Sequence, residues 1–104
     1  MKEIYRSFEG KLNVENQNGF IVYELKEMYE VHELSVWGNG ANKFRVRKND
    51  FDLERINDLL YIGELYDAVD CGRIDGQIFY NDKWRCPRKI MDKNKTYKWR
   101  MCIR

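Results

Sequence analysis

Polar and apolar residues alternate with a period of two over much of this chain, the pattern of strands with one wet face and one buried face. The cleanest case is Lys43-Phe44-Arg45-Val46-Arg47, with Phe44 and Val46 on one side and three cations on the other. Tyr5 to Val14 reads as a first strand, and Phe20 to Leu25 is rich in β-formers. Asn16-Gln17-Asn18-Gly19 lies between them as a turn, so the two segments predict a hairpin. Met28 to Trp37 is assigned to a strand because Leu34, Val36 and Trp37 favour one at its end, and Gly38 to Asn42 turns the chain into the cationic strand.

The period changes after Arg47. Asn49 and Asp50 are N-cap residues, and Asp50, Asp52 and Glu54 crowd a first turn where a helix dipole favours anions. Phe51, Leu53, Ile56, Leu59 and Leu60 follow at helical spacing, which predicts one helix over Asp50–Leu60, ended by Gly63. Leu65 to Cys71, Gln77 to Tyr80 and Lys83 to Cys86 then read as strands, with Gly72 to Gly76 as a turn and Asn81-Asp82 as a two-residue turn. Pro87 confines pairing at its position to an edge or a bulge. After a turn at Asp92 to Lys95, Thr96 to Ile103 closes the chain, with Tyr97, Trp99, Met101 and Ile103 on one face. Together these elements predict a single α+β domain over residues 1–104, a bent antiparallel sheet with one short helix.

Charge adds an asymmetry that the net value of +2 conceals. Nine of the 19 basic residues, but only Asp92 of the 17 acidic ones, lie from Lys83 onward. An acidic body therefore carries a basic, aromatic C-terminal segment. Lys83, Arg85, Arg88, Lys89, Lys98 and Arg100 are the candidate binding residues, with Lys83, Arg85, Lys98 and Arg100 expected on one side of a strand pair. Such a stripe suits phosphates or an acidic protein surface. Trp84 and Trp99 alternate with these cations and are expected in the core. In the acidic body Glu24, Glu27, Glu30 and Glu33 recur every third residue, as a charged edge.

Little else carries chemistry. Cys71, Cys86 and Cys102 are widely spaced and His32 is the only histidine, so no zinc site is expected and the cysteines are read as free, buried thiols. No metal or cofactor is implied. Hydrolase, metalloprotease and phosphate-loop motifs are absent, and Gly38-Asn39-Gly40 leads into a strand, not the helix that a phosphate loop needs. The expectation is a protein without catalytic residues. There is no run of 18 apolar residues and no apolar leader at the N-terminus, which points to the cytoplasm and away from membranes.

The stretches Gly63 to Val69, Tyr80 to Ile90 and Tyr97 to Trp99 resemble small SH3-like barrel domains of bacterial mobile elements and phages. The resemblance covers about the last 40 residues, and it implies a partly open SH3-like barrel and a phage-like origin, with no binding residue carried over. With the compact size and split charge, it leads to an expected accessory protein that binds and inhibits a host protein or protein–nucleic-acid complex, as anti-CRISPR proteins do. The alternative is a barrel that binds nucleic acid directly through its basic C-terminal strands.

Overall fold

The computed structural model describes residues 1–12, 18–35, 42–89 and 97–101, and for residues 88–89 and 97–101 the backbone alone. Seven strands form one antiparallel sheet: β1 (Lys2–Arg6), β2 (Asn18–Glu24), β3 (Met28–Ser35), β4 (Lys43–Arg47), β5 (Gly76–Tyr80), β6 (Lys83–Lys89) and β7 (Tyr97–Met101). Their spatial order equals their sequence order, so every ladder joins consecutive strands. An α+β sheet with one α-helix is thus present, with β1 and β7 at its two ends. The molecule is elongated, 48 × 28 × 24 Å. The described helices include none long and apolar enough to cross a membrane.

β4 runs over Lys43–Arg47 as its alternation requires, with Phe44 and Val46 fully buried. β3 pairs with it in the register Val31↔Phe44 and Tyr29↔Val46, and with β2 in the register Val22↔Val31. That register gathers every second residue onto one face, where Phe20, Val22, Tyr29, Val31, Phe44, Val46 and Ile78 meet Phe51 and the helix. The first strand lies earlier than the expected Tyr5–Val14: it starts at Lys2 and ends at Arg6, residues 7–12 are not strand, and an irregularity falls between Glu3 and Tyr5. Asn18 and Gly19, assigned to a turn, already belong to β2. The Gly38–Ala41 and Asp92–Lys95 turns lie outside the described residues.

The helix falls later than its sequence signals place it. Segments 48–50 and 53–55 form single turns of 3-10 helix, and α1 spans Leu59–Asp70. Two acidic caps compete here. The Asp52 side chain accepts one hydrogen bond, from Glu54 N. The Asp58 carboxylate accepts from both Leu60 N and Tyr61 N, satisfying two of the orphan donors that every helix start leaves. The buried stripe is then Tyr61, Ile62, Leu65 and Val69, so the segment Leu65–Cys71, expected as a strand, is mostly the second half of α1. α1 packs on β4 and β5.

Gly63, expected to end a helix, sits inside one, exposed, and a Cβ there would meet nothing within 4 Å. Gly63→Ala should therefore raise stability by about 1 kcal/mol, the difference in helix propensity. A denaturant melt reads this as a higher midpoint at unchanged slope.

The β5–β6 hairpin follows the sequence closely. Asn81 (φ 51°) and Asp82 (φ 60°) both occupy the left-handed region, as a two-residue type I′ turn demands. Pro87 lies past the β5 ladder, which ends at Ile78↔Arg85, so β6 needs no donor toward β5 at that position.

Candidate functional site

α1 covers one face of the sheet, and the polar positions of the same strands build the other. On this open face Glu30 of β3 sits opposite Arg45 of β4, and Arg45 sits opposite Gln77 of β5. Glu30 is only 4% exposed. A carboxylate so removed from water must be paired. Its Oε1 accepts from Arg45 Nε at 2.7 Å, and its Oε2 lies 2.6 Å from His32 Nε2. Arg45 donates a further hydrogen bond from Nη1 to Gln77 Oε1 at 3.3 Å. Every buried side-chain polar atom described has a partner.

Aromatic rings brace this network. The Arg45 guanidinium stacks 3.9 Å from the centroid of Trp84, and Trp84 lies 5.2 Å from Phe79, its ladder partner. Lys43 Nζ is 5.2 Å from the Phe79 ring, and Tyr23 is 4.8 Å from His32. Trp84 is half-buried here and takes no part in the apolar cluster beneath α1, which corrects its assignment to the core. The Trp99 side chain lies outside the described residues.

The register also redistributes the basic residues. Trp84, Cys86 and Arg88 alternate with Lys83, Arg85, Pro87 and Lys89 along β6. β7 pairs Cys86↔Arg100 and Arg88↔Lys98, whereas Arg85 pairs with Met101 and Lys89 with Tyr97. By ladder position Arg88, Lys98 and Arg100 therefore belong with Lys43, Arg45, Phe79 and Trp84, and Lys83, Arg85 and Lys89 belong to the opposite set. The expected stripe of Lys83, Arg85, Lys98 and Arg100 on one side is divided between the two. Lys83 is exposed, and Arg85 is half-buried with its Nε donating to Tyr80 O at 3.2 Å. The contribution of β4, Lys43 and Arg45, was missed in the sequence although their alternation was plain. What it lacked was the register that aligns them with β7.

Of the cysteines, Cys71 is free and exposed, not buried. Cys86 is disulfide-bonded, which overturns the free thiol expected there. Linear spacing carries no information on which strands pair, and strand pairing is what brings thiols within reach. Cys102 is outside the described residues. No group of three or more His, Cys, Asp or Glu is placed to hold a metal ion among the described residues.

The acidic row is divided as well. Glu24 pairs with Lys48 at 3.1 Å, Glu30 faces the network above, and Glu33 emerges on the helix-covered side opposite Phe20. There Glu33 borders a groove of about 580 Å³ with Leu59, Gly63, Tyr66 and Asp67 of α1. Burial and the nearby Asp67 hold its carboxyl above the ordinary carboxylate range, and burial with Asp70, Glu33 and Asp67 raises the Tyr66 hydroxyl.

A raised folded-state value means that Glu33 favours folding below its unfolded titration range, and that this contribution is lost as pH rises through the folded value. Glu33→Gln should therefore melt higher than the parent at neutral pH. The gap should close as the pH falls below the ordinary glutamate range, where Glu33 is protonated in both the folded and the unfolded chain. Melting curves across that range check the sign.

No family model matches the chain, and no curated protein or solved structure does so either.

Proposed function

We propose that the protein is a non-enzymatic binding module whose open sheet face, across β4 to β7, seats the phosphate backbone of a nucleic acid, alone or within a protein–nucleic-acid complex. One observation carries this reading: the ladder aligns Lys43 and Arg45 with Arg88, Lys98 and Arg100 across four consecutive strands. Phosphates recognise such a surface by charge, with release of counterions. Glu30 neutralises only its centre and locks Arg45 in place, and Trp84, covered by Arg45, supports the cation in preference to stacking on a base.

Occupying a host complex in this way is how a small inhibitor of a bacterial defence system would act. The resemblance of the C-terminal strands to SH3-like domains of phages and mobile elements is in keeping with that role.

Fluorescence anisotropy with labelled single- and double-stranded oligonucleotides tests it. Affinity should fall linearly in log–log form between about 50 and 200 mM salt. Lys43→Glu combined with Arg100→Glu should abolish binding with little change in melting temperature, and Lys83→Glu with Arg85→Glu should retain it. Binding that is absent at low salt, or that follows the second pair instead of the first, overturns the reading.

A further inference from the structure

The solvent side of α1 has a composition that nothing among the described residues accounts for. Leu59 and Leu60 open the helix 60% and 73% exposed, side by side at its first turn. Gly63 follows one turn on, and beyond its chain neighbours and the backbone of its own helix no atom lies within 4 Å of where a side chain would begin. Glu64 and Asp67 continue the exposed surface, and α1 contains no basic residue. Glu33 of β3 faces the same groove. The Glu33 and Asp67 carboxylates have no ion-pair partner among the described residues, and Glu64 reaches only Arg55, at 4.0 Å.

Each component is unfavourable to the isolated molecule. Two exposed leucines keep apolar area in water. A glycine in a helix interior costs about 1 kcal/mol where alanine would fit. Crowded carboxylates repel one another. All three become favourable under one kind of occupant. A cationic segment would pair with Glu33, Glu64 and Asp67, an apolar anchor on it would cover Leu59 and Leu60, and Gly63 would let its backbone come close to α1.

We infer that the Leu59–Gly63–Asp67 face of α1, with Glu33, is a docking groove for a basic segment of a partner protein that carries an apolar anchor. This is a second surface, on the side of the sheet opposite the cationic face, and it does not depend on nucleic-acid binding. The charge of the groove selects the occupant. An acidic segment or a phosphate backbone would meet repulsion here, whereas basic segments are what nucleic-acid-binding proteins present.

The test uses the full chain and three synthetic peptides labelled with fluorescein: an amphipathic Lys/Leu helix, a Lys/Ser peptide of equal charge and a Glu/Leu helix. The Lys/Leu peptide should bind, and the other two should bind at least about tenfold more weakly, a margin worth about 1.4 kcal/mol. Gly63→Gln closes the approach while improving helix propensity, so it should melt no lower than the parent yet lose peptide binding. Leu60→Ser should lose it as well. Oligonucleotide binding, measured in parallel, should be unchanged in both variants. Equal binding of the Lys/Ser peptide, full binding by Gly63→Gln, or burial of this face in a dimer by light scattering overturns the proposal.

Discussion

Glu30→Ala should destabilise the protein by about 2–4 kcal/mol, equivalent to a fall in melting temperature of about 10–20 °C for a domain of this size. Glu30 is 4% exposed and joins two strands: it pairs with Arg45 of β4 and with His32 two residues along β3. Truncation leaves the Arg45 guanidinium, 27% exposed, with only Gln77 and the face of Trp84 among the described residues. Removing one partner of a buried pair costs more than the pair itself is worth, because the other charge is left desolvated. The lower end of the range applies to the extent that Arg45 swings out to water. Glu30→Gln separates charge from hydrogen bonding. It keeps an acceptor for Arg45 Nε and should lose about half as much, as for a neutral replacement of a charge-assisted bond. Equal melting of parent and Glu30→Ala would mean that the network carries no stability.

Gly76→Ala should cost about 3 kcal/mol, at the upper part of the range for overpacking. A Cβ at this position would overlap the Arg45 carbonyl oxygen, and it would lie 2.9 Å from both methyl groups of Val69. A flexible side-chain tip yields cheaply to such an intrusion, but here one obstacle is the backbone of the neighbouring strand. The other is a fully buried residue of α1. Relief requires α1 to lift or β4 and β5 to part, and either breaks the cluster around Val46 and Ile78. Chemical denaturation would show a lower midpoint. On the proposed function a simultaneous loss of nucleic-acid affinity is expected, since Arg45 and Gln77 are held by this same strand pair.

The elements that were legible in the sequence are those whose local signal had no competitor. β4 alternates without interruption, and Asn81-Asp82 is flanked by β-formers on both sides, so both are placed as expected. The helix was displaced because two capping aspartates precede overlapping apolar stripes. Asp58 prevails because its stripe, Tyr61, Ile62, Leu65 and Val69, is the one that seats on Phe44 and Val46. Leu59 and Leu60, counted in the earlier stripe, are left on the surface. The candidate sites depend on register, and register is set by loop geometry and by which faces find a core. Glu30 and Arg45 are ordinary polar positions in their own strands. Only the pairing Glu30↔Arg45 makes them a network, and only Cys86↔Arg100 moves Arg100 away from Arg85.

The strand order has a kinetic consequence. Because neighbours in space are neighbours in sequence, each ladder but one is closed by a short connection. The exception joins β4 to β5, whose partners Val46 and Gly76 are brought together across segment 48–75, including all of α1. Closing that span forfeits the most chain entropy of any pairing here, and nothing rewards it until α1 has docked. The β1–β4 meander and the β5–β6 hairpin can form as separate local units, and the rate of folding is set by their meeting. Substitutions at Val46, Val69 or Gly76 should accordingly slow refolding, whereas those in the β5–β6 turn should chiefly alter the rate of unfolding.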